Sequence, residues 1–143
     1  MRDISFGWTS PAIAAREKTK TRRNWKRPYA ESFKKGELVG GLDRLRFVKG
    51  PREAKRFSII RLLNRPYLQN TMRMKPEDYF AEGFHFLHAN LDLVPPSGRR
   101  CSLYPFSPRE FEAWRKTRQD LYVVELEVVS VDAEWVRRNM CHK

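Results

Sequence analysis

Leu121 to Val131 constrains the fold of this chain more than any other segment. Tyr122, Val124, Leu126 and Val128 fall at alternate positions, so one side of an extended segment is apolar along most of its length. A strand that long carries backbone donors and acceptors on both edges, and a folded protein pairs them. The chain must therefore supply a sheet around it. Ile4 to Phe6 reads as a short opening strand, and Lys18 to Trp25 as a strand or an extended loop. Glu37 to Phe47 holds Leu38, Val39, Leu42, Leu45 and Phe47, and the Lys49-Gly50-Pro51 turn leads into Ala54 to Leu63 as the returning strand of a hairpin.

The helices read as short. Ser10 as N-cap before Pro11 opens one that runs to about Arg16. Pro28 to Phe33 makes a turn or two, and Pro76 to Phe80 another, with Glu77 and Asp78 facing its positive end. Ser107 and Glu110 form a capping pair for a helix to about Arg118 carrying Phe111 and Trp114. Asp132 caps a last helix with Trp135 and Val136, in a helical tail over 132–143. Between them, 90–105 contains Pro95-Pro96-Ser97-Gly98 and reads as a long loop, which would also serve as a protein-interaction surface. Such helices are too short for βαβ crossovers, so the expected class is α+β, a small mixed or antiparallel β-barrel with short flanking helices. No repeat or linker divides it, and 1–143 is read as a single domain.

Charge narrows the partners. The chain has 29 Lys and Arg against 17 Asp and Glu, a net +12. The surplus is lopsided: 16 basic and 6 acidic residues lie within 1–56. A one-ended field of this kind suits a polyanion, because neutralised phosphates release condensed counterions; it also suits a merely well-solvated surface. A hydrophobic content of 41% excludes a disordered chain. No apolar run reaches the ~18 residues of a membrane span, no secretory pattern opens the sequence, and two cysteines are too few for a disulfide scaffold. A cytoplasmic protein without a membrane partner is expected.

No cofactor or metal is expected. Gly36 and Gly40-Gly41 have no P-loop context and no Lys-Ser/Thr after them, which disfavours ATP binding. His85, His88, Cys101, Cys141 and His142 do not fall at zinc-finger spacing. His85 is expected instead as a polar cleft residue near Glu82, and Trp8 and Trp114 as core.

The chemistry concentrates in Arg16 to Arg27, where seven of twelve residues are basic. Lys20, Arg22, Arg23, Lys26 and Arg27 are candidates for phosphate contacts, and Trp25 for stacking on an unstacked base. The same segment would equally form a solvated edge strand with Trp25 turned inward.

Four elements in order carry a family resemblance: Lys18-Thr19-Lys20-Thr21-Arg22-Arg23, then Phe33-Lys34-Lys35-Gly36-Glu37-Leu38-Val39, then Ala81-Glu82-Gly83-Phe84, and the Tyr122 to Leu126 strand. Together, over roughly 4–131, they resemble the ASCH family. The resemblance implies a PUA-like barrel whose cleft handles RNA, nucleotides or modified bases, with RNA the favoured nucleic acid. One branch of that family is an amidohydrolase acting on N4-acetylcytidine through a Lys, a Thr and a Glu, which fall here on Lys18, Thr21 and Glu82. Catalysis would need a lysine of depressed pKa to activate the threonine hydroxyl, and a glutamic acid to protonate the leaving amine; an arginine such as Arg23 would stabilise the oxyanion. In the non-catalytic alternative, Lys18 binds phosphate and Glu82 pairs with Arg22 or Arg23. Residues three apart on a strand face opposite ways, so Lys18 and Thr21 meet only if the chain bends between them. The expectation is thus a nucleic-acid-binding domain, with an amidohydrolase or a ribonuclease as the alternatives.

Overall fold

The computed structural model describes residues 1–44, 53–94 and 106–140. Its long alternating segment is strand β6 (Asp120–Val131), which pairs with three other strands. Its first residues run antiparallel to β5 (Tyr67–Asn70), with Tyr67 opposite Val123 and Asn70 opposite Asp120. Its middle pairs antiparallel with β2 (Lys20–Arg23), placing Thr21 opposite Val124 and Arg22 opposite Val123. Its end pairs with β4 (Arg56–Leu62), which returns antiparallel to β3 (Leu38–Leu42) as the expected hairpin. Strand β1 (Asp3–Ser5) lies parallel to β3 on the outer edge. The result is an α+β molecule whose mixed sheet curls into a half-barrel.

Among the described residues six short helices flank the sheet: α1 (Ser10–Ala14), α2 (Arg27–Glu31), α3 (Pro76–Ala81), α4 (Phe84–Ala89), α5 (Pro108–Arg115) and α6 (Ala133–Met140). Two of the expected caps form: Ser107 Oγ accepts from the Glu110 amide at 3.1 Å, and Asp132 Oδ1 from the Glu134 amide at 2.8 Å. Ser10 does not cap α1. A 3-10 turn at Gly7–Thr9 runs directly into the helix, Thr9 takes the cap position, and Ser10 Oγ is buried without a partner. Strand β5 and helix α4 were not foreseen, since Tyr67–Asn70 shows no apolar alternation and α4 follows α3 after one residue pair. The expected Lys49-Gly50-Pro51 turn, Leu45, Phe47 and the Pro95 to Pro105 loop lie outside the described residues.

Two apolar clusters result. The first fills the concave side of the sheet, where Val124 and Leu126 of β6 meet Ile13, Phe33, Phe57 and Ile60. Helix α6 closes it: Trp135 stacks on Phe57 at 4.4 Å and donates its indole N–H to Asp43 at 2.9 Å. The second gathers Tyr79, Phe84, Leu87, Phe106 and Phe111 around α3, α4 and α5. Helix α1 touches both, giving Ile13 to the first and Ala12 to the second. Trp114 packs on the second cluster as expected, but Trp8 is 36% exposed and is not core. Among the described residues no helix is long and apolar enough to cross a membrane.

Leu126 is fully buried in the first cluster, whereas Val129 three residues on is 41% exposed. Leu126→Ala is expected to cost about 2–5 kcal/mol in denaturant unfolding, and Val129→Thr no more than about 0.5 kcal/mol.

Candidate functional site: a basic cleft between two cores

Burial of ionisable groups marks the seam between the two clusters. Lys18 and Glu82 are each 2% exposed, and the Arg22 side chain is as deeply enclosed. Charges leave water only when other charges and hydrogen bonds replace it, and here the replacement is nearly complete. Lys18 Nζ donates to the Glu82 carbonyl at 2.8 Å and to its Oε2 at 3.0 Å. Arg22 donates from one terminal nitrogen to Glu82 Oε1 and from the other to Gln69 Oε1, both at 2.9 Å. The second nitrogen also lies 3.4 Å from Asp78 Oδ2, and Lys20 Nζ donates to Asp78 Oδ1 at 2.9 Å. Arg22 Nε alone is buried without a partner.

The backbone explains how these side chains meet. After α1 the chain reverses through Arg16, whose φ is 61°, and the amides of Glu17 and Lys18 both bond back to the Ala12 carbonyl. Lys18 therefore precedes strand β2 and leaves the strand's alternation. This is the bend that a shared site with Thr21 requires, although the helix ends four residues before Lys18 and not at it. From the other side, α3 and α4 are joined through Glu82 and Gly83. Gly83 has φ +82°, and a Cβ there would stand 2.6 Å from Ala12 Cβ and 3.2 Å from Lys18 Cβ. Only glycine lets this corner reach α1 and present Glu82 to Lys18.

Beside this network opens a cleft of about 280 Å³. Lys18, Thr21 and Glu82, the three residues expected to act together, all line it, and so do Arg22 and Arg23. Its apolar walls are Phe6 from the first cluster, Phe84 and Phe106 from the second, and the indoles of Trp8 and Trp114. Thr21 Oγ1 accepts from Arg23 Nε at 3.2 Å, and the Arg23 guanidinium stands 5.4 Å from the Phe6 ring. Burial lowers the Lys18 pKa below the ordinary lysine value; Glu82 works against that shift, and the cations Arg23 and Arg22 add to it. Burial likewise lowers Arg23 to about 10, with Glu82 opposing. Asp78 is the reverse case. Burial pushes its carboxyl upward, but the Lys75 amide, Lys20 and Arg22 outweigh this and hold it below the ordinary value.

The other expected contacts separate. Lys26 and Arg27 are exposed, and Arg27 pairs with Glu31 one turn along α2 at 2.8 Å. Trp25 stacks on Phe33 at 5.0 Å and packs against the first cluster, so that face of the indole is occupied by protein. His85 is not in the cleft. It lies exposed on α4 against the Phe80 ring at 4.7 Å, because the residue next to the buried, cleft-lining Phe84 projects from a different side of the helix. Cys101, Cys141 and His142 fall outside the described residues. Sequence reasoning assigned Asp78 only to a helix dipole, named Phe6 and Phe84 only within a strand and a family element, and passed over Gln69; nothing in their local spacing marks them as site residues.

The fold is similar to the crystal structure of protein EF3133 from Enterococcus faecalis V583, described under the family model DUF984. The TM-score is 0.48 at 17% identity, over 93% of this chain and 83% of that one. No protein-family model and no curated protein matches the sequence.

Glu82→Ala leaves Lys18 and Arg22 enclosed without their shared counter-charge and is expected to cost about 3–5 kcal/mol in unfolding experiments. Gly83→Ala is expected to lose at least about 1–2 kcal/mol from its left-handed backbone alone. For Asp78 the folded-state pKa is depressed, so its contribution is complete above the ordinary value of 3.8 and disappears as pH falls through the lower folded value. Stability measured from neutral pH to below 3.8 should therefore fall less steeply in Asp78→Asn than in wild type.

Proposed function

We propose that this chain is a PUA-like domain of the ASCH type that binds nucleic acid, RNA in preference, and seats one base or nucleotide in the cleft. The observation that carries the reading is the combination of surplus positive charge and aromatic walls in one small space. Lys18, Arg22 and Arg23 line the cleft with Glu82 as its one carboxylate among the described residues, Lys20 and Asp78 lie beside it, and Phe6, Trp8, Phe84 and Trp114 surround the opening. A planar base stacks on such rings with little regard to its identity, and cations attract the phosphate beside it. A volume of about 280 Å³ fits one nucleoside and not a helix. Sequence-independent contacts with the flanking strand fall to Lys26 and Arg27, which are exposed at the start of α2.

A second reading has its own support. Lys18, Thr21 and Glu82 line one cleft, and burial depresses the lysine, as deacylation of a modified cytidine would need. Both Glu82 oxygens accept hydrogen bonds from cations, and Thr21 Oγ1 accepts from Arg23. The carboxylate is thereby set to orient Lys18, and ligand entry would have to release it before it could serve as an acid. Binding needs no such rearrangement, which is why it is the first reading.

Anisotropy titrations with short labelled single-stranded RNA, and with DNA of the same sequence, test the proposal. Affinity is expected to fall about tenfold or more between about 50 and 200 mM salt. Lys26→Ala is expected to reduce the salt slope by about one contact. Affinity independent of salt would refute the binding reading. In parallel, N4-acylated cytidines incubated with wild type and Lys18→Ala, with melting curves to establish folding, test the second; deacylation lost only in the variant would establish an amidohydrolase.

A further inference from the structure

In the cleft and the network beside it, every oxygen of Glu82 and Asp78 is already committed. Glu82 Oε1 accepts from Arg22 and Oε2 from Lys18, while Asp78 Oδ1 accepts from Lys20 and Oδ2 from the Lys75 amide. Arg23 is left over. Its Nε is fixed on a neutral hydroxyl, Thr21 Oγ1, and its guanidinium rests near the Phe6 ring, so the group is held in place without an ion pair, and Glu82 acts on it only from a distance. Among the described residues no carboxylate pairs with it and neither terminal nitrogen has a protein acceptor. Even with the pKa lowered to about 10, Arg23 carries its charge at neutral pH. Lys18 also has a donor to spare, since two of its three N–H groups are given to Glu82.

A pre-oriented guanidinium with both terminal nitrogens open matches the oxygens of a phosphate in a way that a point charge does not. We propose that Arg23 is the phosphate anchor of the cleft, and that the ligand is a nucleotide carrying a phosphate monoester in preference to an uncharged nucleoside. This rests on the reading of the cleft as a nucleotide site and adds the charge state of what enters it. The aromatic walls would hold the base and the tied Nε would fix the direction of the fork. The nucleotide can be free or stand at the end of a strand, since both present the same monoester.

Calorimetric titration of the full chain with the four ribonucleosides, their 5′-monophosphates, and short RNAs with and without a 5′-phosphate separates these cases. Wild type is expected to bind at least one monophosphate about tenfold or more tightly than its nucleoside. Arg23→Gln should abolish that ratio, and Arg23→Lys should restore part of it. A 5′-phosphorylated RNA that outcompetes the free monophosphate identifies a strand end as the source; the reverse identifies a free nucleotide. Equal affinity for nucleoside and monophosphate in wild type would overturn the anchor while leaving the nucleotide site standing. A ratio that survives in Arg23→Gln would also overturn it. Absence of binding by every probe would remove the site itself. Melting curves of both variants establish that they remain folded, and Arg23→Lys repeats the test with the charge retained.

Discussion

Glu82 stands between Lys18 and Arg22 in a space from which water is almost excluded, and the two halves of the molecule meet on that contact. Lys18 comes from the segment after α1 and Arg22 from β2, while Glu82 and Asp78 come from the α3–α4 corner. The ion pairs therefore tie the sheet to the helical cluster at a point where the two apolar cores share a wall of charge. Hydrophobic side chains of similar volume would commonly hold such a seam as well or better. The arrangement gains something else from its charges: cations fixed in position at the edge of a cleft, with their rotamers already chosen. Pre-organisation of this kind lowers the ordering cost of binding.

Gly83 shows how a local backbone constraint controls that electrostatics. Its left-handed conformation starts α4 directly against α1, and the absence of a side chain lets Ala12 and Lys18 come within contact distance. Displacing that corner would separate Glu82 from both its cations at once. The same approach sets the cleft walls, since Phe84 follows Gly83 and faces Lys18 at 5.7 Å from its ring centre.

The parts of the fold that were legible in the sequence are those written in local pattern. The alternation in Leu121 to Val131 fixed β6, and Ser107 and Asp132 announced their helices through side-chain oxygens that bond to nearby amides. Strand β5 was invisible because its residues are exposed or half-buried on both faces and owe their conformation to β6. Lys18, Thr21 and Glu82 were legible as a set only through resemblance, since no spacing rule relates residue 82 to residue 18. Asp78 and Gln69 were missed for the same reason, their roles arising from a register made far along the chain. Trp25 shows the opposite failure. Basic neighbours gave it the look of a stacking platform, but Phe33 lies eight residues on and supplies the ring that covers it.

Strand β6 is shared by β2, β4 and β5, and this bears on how the protein comes into being. Arg22 is paired with Val123, so the most basic strand waits for a partner made roughly a hundred residues later on the ribosome. Until then β2 is an unpaired edge, and its clustered positive charge is the feature that keeps such an edge from pairing with copies of itself. The basic residues of the finished cleft would thus also protect the unfinished chain, and the cleft cannot be complete until β6 has been made and paired with β2.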